Sequence, residues 1–269
     1  MIPFDFDYVL PETLQEAYGA WRGEKEAGRS AVYYGGGTEI VTLARSGTIT
    51  PQCVIDLKGV PECSFSGEDE GRLVFGAACF LTDIVEENLF PLLSEVCRGV
   101  ADRTVRNRLT LGGNVCGRLP YREALLPFLC VGAAARVFGV EGLREEPLET
   151  FFDKRLKLDD GEFLAALVVE KESARLLSAH CRKVRGGRVD YPVCTVAGAA
   201  DGDSVRLAVS GAWDFPVVAD CTSFTPPEKI VADVPHAIKD DAVAASDYRG
   251  ALLLQAVEKV LLSLEVMPE

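Results

Sequence analysis

Residues 31 to 40 read Ala31-Val32-Tyr33-Tyr34-Gly35-Gly36-Gly37-Thr38-Glu39-Ile40. A short run of β-branched and aromatic residues, the types that favour strands, leads into three glycines and then a helix-compatible stretch ending near Arg45. Glycine admits φ > 0 and lets the main chain approach another surface with no side chain between. A strand, glycine loop and helix in this order can set successive amide N–H groups in a concavity beside the positive helix end, which suits an anion. Thr38 can cap that helix or donate to a phosphate oxygen. The other reading is a strand-to-helix turn that is merely rich in glycine, and this stretch alone leaves both open. It is not the GxGxxG of a Rossmann domain, and no GK[ST] follows. A conventional nicotinamide domain or nucleoside triphosphatase is therefore disfavoured.

Working outward, residues 11–28 predict a helix, with Pro11 in its first turn and Leu14, Ala17, Tyr18 and Trp21 on one face. Strands are predicted at 53–57 and, after the polar turn 68–71, at 72–77. Residues 81–98 have helical periodicity interrupted at Pro91, and 122–131 resume as an apolar helix. A β pair follows at 134–140 and 142–148. Further strands are predicted at 162–169, 178–184, 192–200 and 205–211, the last two joined by Asp201-Gly202-Asp203. Residues 248–264 form an amphipathic helix. The polar stretch 154–161 marks a boundary, so two domains are expected: 1–165, with lobes of about 1–57 and 58–165, and 166–269.

Residues 102–120 lack an evident element, and a long loop is usually functional. Within it lies Arg106-Asn107-Arg108-Leu109-Thr110-Leu111-Gly112-Gly113-Asn114. A glycine pair flanked by Thr110 and Asn114, with two arginines upstream, is conspicuous in a chain of net charge −13. The alternative is a surface loop whose arginines pair with carboxylates.

The bulk composition narrows the field. With 48% hydrophobic and 26% charged residues, the 269-residue chain is expected to fold as a soluble protein with a sizeable core. Its negative charge disfavours nucleic acid and membrane surfaces as partners. The most apolar stretch, 124–135, is broken by Pro127 and falls short of the roughly 20 residues of a membrane span. The start lacks the basic segment of a signal peptide, so a cytoplasmic location is expected. Nine widely spaced cysteines with no CxxC argue against a disulfide framework and against a local zinc or iron–sulfur motif. With only two histidines, His180 and His236, a Ser-His-Asp or Cys-His nucleophile system is disfavoured.

The two glycine loops together resemble the FAD-binding flavoprotein subunits of the xanthine dehydrogenase and carbon monoxide dehydrogenase family. Those carry an (A/G)GGT(D/E) loop and a later RNxxTxGGN loop, then a proline and an acidic residue. Here these are Gly35 to Glu39, Arg106 to Asn114, Pro120 and Glu123. Downstream, Arg182-Lys183-Val184-Arg185 with Asp190-Tyr191-Pro192-Val193, and Ser246-Asp247-Tyr248-Arg249, continue the likeness in order over nearly the whole chain.

The resemblance implies an α+β fold. An FAD domain of two small α/β lobes (PCMH-type) would precede a C-terminal domain with a three-stranded antiparallel sheet. It implies FAD as cofactor, bound by Tyr33, Tyr34, Gly35, Gly36, Gly37, Thr38, Glu39, Ile40, Arg106, Thr110, Gly112, Gly113, Asn114, Glu123 and Lys183. Gly35 to Glu39 would wrap the diphosphate from one side, and Thr110, Gly112, Gly113 and Asn114 from the other. Glu123 would hydrogen-bond a polar part of the cofactor, and Lys183 would sit near the isoalloxazine. No catalytic side chain and no metal ligand is implied. The implied role is an oxidoreductase component: electrons from a 2Fe–2S subunit, itself reduced by a large molybdopterin subunit, pass through FAD to NAD or another acceptor. Purines, aldehydes, N-heterocycles and carbon monoxide occur among the relatives' substrates, and the general likeness leans to purines. The chain departs from the family in having Arg118-Leu119 where Ala-Ser is usual, and Glu123 where Asp is usual. Two other readings stay open: a stand-alone FAD-dependent reductase like the enolpyruvyl-glucosamine reductase of cell-wall synthesis, and a flavin-free assembly module.

Overall fold

The computed structural model describes residues 2–187 and 190–265. The first lobe is a small parallel sheet with strand order β1-β3-β2, made of β1 (Asp7–Val9), β2 (Ala31–Tyr34) and β3 (Cys53–Asp56). The central strand β3 is buried at every position, as its apolar Cys53-Val54-Ile55 run dictates. Helix α1 (Leu14–Glu26) starts where the Thr13 hydroxyl caps the Glu16 amide, and it lays Leu14 and Ala17 on the sheet. Helix α2 (Thr38–Arg45) returns the chain from β2 towards β3, and the one-turn α3 (Pro61–Ser64) leads out of the lobe.

The second lobe opens with the hairpin β4 (Ser66–Asp69) and β5 (Arg72–Gly76). Pro91 splits the predicted 81–98 helix into α4 (Leu81–Glu87) and α5 (Pro91–Gly99), with Asn88 left-handed at the break. The segment read as a long loop is folded into two short helices, α6 (Arg103–Arg106) and α7 (Leu111–Cys116). After α8 (Leu126–Cys130) come β6 (Ala134–Gly139), β7 (Gly142–Pro147), α9 (Leu148–Phe151) and the minimal hairpin β8 (Phe152–Asp153) and β9 (Arg155–Leu156). Strand β10 (Phe163–Glu170) completes an antiparallel sheet of order β4-β5-β10-β6-β7. The expected domain boundary at 165/166 falls inside β10. Phe75, Phe90 and Phe128 meet edge-on or tilted at 5.8–6.4 Å and centre the largest core. Such aromatic contacts each add about 0.5–1.5 kcal/mol beyond the area they bury.

The C-terminal part is a meander of β11 (Leu177–Val184), β12 (Pro192–Asp201), β13 (Ser204–Ser210) and β14 (Val217–Thr222), followed by α10 (Pro227–Ala232) and α11 (Ser246–Leu264). This sheet has one strand more than expected: β14 pairs with β13 from Val209↔Val217 to Ser204↔Thr222. Helix α11 covers one face closely, because a side chain at Gly198 would strike Leu207, Val260 and Leu264. Its Arg249, 1% exposed, donates to the carbonyls of Val193, Gly211 and Lys239 and to the Asp241 carboxylate. On the opposite face Ala197, Ala199 and Ala208 join the core of the second lobe, so sheet and lobe share packing. Among the described residues no helix is long and apolar enough to cross a membrane.

Candidate functional site

The strand–glycine–helix unit forms as the sequence predicts. Gly37, the residue before helix α2, lies in the left-handed region at φ 71°, and no side chain caps the helix. A side chain at Gly37 would also strike the Tyr34 ring. An uncapped helix leaves its first amides without intrahelical acceptors. Among the described residues the amides of Gly36, Gly37, Thr38, Glu39 and Ile40 have no protein acceptor. These free donors, at the positive end of α2, are what an anion needs in so acidic a chain.

The two glycine loops are in direct contact. A Cβ at Gly36 would lie 1.4 Å from the Arg108 carbonyl oxygen, and one at Gly35 2.5 Å from Thr110 Oγ1. Glu39 ties the far side: its carboxylate oxygens accept the Arg118 amide at 3.0 and 3.1 Å. Tyr33 to Ile40, Thr110, Gly112 and Gly113 therefore line one cleft of about 390 Å³.

The second loop is built differently from the first. Its amides are already bonded: Leu111 to the Cys79 carbonyl, Gly112 to that of Ala77, Gly113 to Thr110 Oγ1, and Asn114 to the Thr110 carbonyl. Gly112 is a packing glycine, since a Cβ there would sit 2.7 Å from that of Ala77. The loop thus forms a wall of the cleft, and the free amides come from the first loop.

Four of the expected residues lie elsewhere. Arg106 Nη1 donates to the carbonyls of Arg98, Val100 and Ala101 at 2.8–3.2 Å and brackets the end of α5. Asn114 Oδ1 accepts the Ala124 amide at 3.0 Å and fixes the start of the next helical turn. Glu123, 3% exposed, pairs with Arg182 Nε at 2.8 Å and accepts Thr195 Oγ1 at 2.7 Å, which joins the second lobe to β11 and β12. Lys183 donates to Gln255 Oε1 of α11 at 3.3 Å. Arg106, Asn114, Glu123 and Lys183 thus bond to other parts of the fold, and none of the four is among the residues that line the cleft.

The sequence reading missed the cleft's other wall. Ala77, Ala78, Leu158, Glu162, Phe163 and Leu164 line it. They come from just past β5 and from the approach and entry to β10, where nothing in the sequence signals a ligand. Tyr33 belongs to both sides: its hydroxyl donates to the Gly161 carbonyl at 2.8 Å and its ring lies 4.6 Å from that of Phe163. Burial raises its phenol well above the ordinary value, so Tyr33 stays a neutral donor. Glu162 is held by Arg144 at 2.5 and 3.0 Å.

The cradle fits an extended dinucleotide diphosphate. Glycines let the two loops pack directly together, free amides gather at a helix end, and aromatic and aliphatic walls flank them.

The sequence profile of the family described as FAD binding domain in molybdopterin dehydrogenase matches residues 4–169. The chain is 30% identical over 156 residues to the carbon monoxide dehydrogenase medium chain of Hydrogenophaga pseudoflava, covering 56% of this chain and 53% of that one. Here the chain spans only about half of its relative's length. With the glyceraldehyde dehydrogenase medium chain of Sulfolobus acidocaldarius it shares 22% identity over 265 residues, 93% of each. Among solved structures, carbon monoxide dehydrogenase from Hydrogenophaga pseudoflava lacking the Mo-pyranopterin moiety matches with a TM-score of 0.83 at 22% identity, covering 98% of each chain. At that identity the structural likeness is one of fold. Since the profile takes in well over half of its residues, the chain belongs to the family of FAD-binding domains of molybdopterin dehydrogenases.

Proposed function

We propose that this chain is the FAD-binding electron-transfer subunit of a molybdenum hydroxylase. In this reading it accepts electrons from a 2Fe–2S partner subunit, which a large molybdopterin subunit reduces, and delivers them to NAD or another acceptor. The observation that carries the proposal is the cleft where the free amides of Gly36 to Ile40 face the wall formed by Thr110, Gly112 and Gly113. The amides and the α2 end would hold the diphosphate; Tyr33, Phe163 and Leu164 would exclude water beside it. Gly35 against Thr110, Gly36 against the Arg108 carbonyl and Glu39 on the Arg118 amide would hold the first loop at a fixed distance from the second and the turn after it. When bound, the flavin supplies the redox chemistry, and the protein supplies placement and electrostatics.

Two further points belong to this reading. Sheet membership favours a division after β10, near residue 170, with the C-terminal meander as the second domain. All nine cysteines are free, which favours a reducing compartment such as the cytoplasm.

The test is purification of the chain with its companions, followed by a visible spectrum and mass analysis. Flavin bands near roughly 370 and 450 nm, properties of the cofactor itself, with an iron–sulfur chain and a large molybdenum chain, are the expected result. Flavin with turnover of NADPH and a sugar nucleotide, without companions, would replace this reading with a stand-alone reductase. A colourless chain that refuses added FAD would replace it with an assembly module.

A further inference from the structure

Behind the first glycine loop, outside the cleft, lies a polar cluster that the proposed site does not use. Asp56 ends β3 and is 1% exposed. Its Oδ2 accepts the Tyr8 hydroxyl and Lys58 Nζ, the latter at 2.5 Å, and its Oδ1 accepts the Lys58 amide at 3.0 Å. Lys58 Nζ reaches on to the Gly35 carbonyl oxygen at 2.8 Å and stands 4.6 Å from the centre of the Tyr34 ring. One ammonium thus bridges a buried carboxylate, an aromatic face and the main chain of the glycine loop.

The contact has a directional consequence. In a trans peptide the C=O and the following N–H point in opposite directions, and among the described residues there is no cis peptide. Fixing the Gly35 carbonyl towards Lys58 therefore turns the Gly36 N–H away from it. Gly35 and Gly36 have no side chains to hold this peptide plane, and glycine peptides are the freest to rotate. Gly36 itself abuts the Arg108 carbonyl, so little room remains for the plane to settle elsewhere.

Resting on the FAD reading above, we propose that Lys58 is the positioning residue of the diphosphate loop. It pins the Gly35–Gly36 peptide so that the Gly36 amide presents to the ligand, and it sets a positive charge behind a loop with no cation of its own. Lys58 does not touch the ligand; it acts through the Gly35 carbonyl. Asp56 and Tyr8 hold the ammonium in place, and the Asp56 charge balances it within the fold.

The test uses the full-length chain stripped of flavin, titrated with FAD and separately with ADP, which carries the diphosphate without the flavin. Lys58→Met is expected to weaken both ligands about tenfold or more, the scale of one charge-assisted hydrogen bond. Lys58→Arg, which can still donate to the carbonyl, is expected to recover most of that loss. Asp56→Asn breaks the ion pair but leaves Lys58 able to donate, and it is expected to lower the unfolding midpoint while weakening FAD far less than Lys58→Met. Should Lys58→Met fail to fold around an unpaired carboxylate, the Asp56→Asn, Lys58→Met double variant gives the same reading with both charges removed. Wild-type affinity in the Met variants overturns the proposal. So does an Asp56→Asn loss as large as that of Lys58→Met, because the pair then serves only the fold. Failure of the wild-type chain itself to take up FAD overturns the underlying functional reading, and the proposal with it.

Discussion

The carbonyl oxygen of Arg108 occupies the space where a side chain on Gly36 would begin, 1.4 Å from an ideal Cβ. Two segments more than seventy residues apart are thereby in main-chain contact, and the cleft exists because they are. Gly36→Ala must push them apart. The expected outcome is a loss of stability of about 1–3 kcal/mol, typical of overpacking, with at least a tenfold loss of FAD affinity, about 1.4 kcal/mol. Denaturant unfolding and flavin fluorescence titration measure the two effects. A variant that melts and binds like wild type would mean that the loops do not meet.

Glu39 closes the cleft from α2 by accepting the Arg118 amide on both carboxylate oxygens. Glu39→Ala leaves that amide to solvent. Hydrogen–deuterium exchange at residue 118 is expected to speed up by about tenfold or more, as the loss of one such hydrogen bond implies. Unchanged exchange would show that another group protects the Arg118 amide.

The Glu123–Arg182 pair ties the second lobe to the C-terminal sheet with both side chains largely buried. Removing one partner strands the other, so Glu123→Ala is expected to cost about 3–5 kcal/mol. Replacing both with methionine should recover much of that. Urea unfolding of the single and double variants decides it: equal losses would mean that Glu123 acts through Thr195 alone.

Burial holds the His180 imidazole below its ordinary value. The unfolded chain then takes up the proton first, at a pH of about 6.5. This contribution to stability is complete above that pH and declines as pH falls through and below it. The unfolding midpoint between pH 7.5 and 5.5 should therefore drop more for wild type than for His180→Gln. Parallel pH profiles would remove His180 from the account.

The first loop was legible almost to the residue. The Ala31–Tyr34 strand and the helix after the glycines form where an apolar run meets three glycines, a local signal that tertiary packing reinforces. The second loop was legible as a motif but not as structure. Gly112 and Gly113 are poor helix formers, yet they lie within α7, and at 112 only glycine fits against Ala77. Arg106, Asn114, Glu123 and Lys183 carry the chemistry a site needs, and the sequence has no means to show which carbonyls and side chains across the fold each of them also meets. Lys58 is the reverse case. It reads as the end of a strand, and only the return of β2 beside β3 places the Gly35 carbonyl within its reach. Strand β14 escaped notice because Val217 to Thr222 is an edge strand with alternately exposed polar residues.

FAD is expected to bind where the free amides of α2 meet the second glycine loop. The most direct measurement is the ¹H–¹⁵N spectrum of the flavin-free chain as FAD is added to one equivalent. The largest changes are expected on the amides of residues 36–40, with smaller ones at 110–113. A folded chain whose spectrum does not respond, or responds on another face of the molecule, would contradict it.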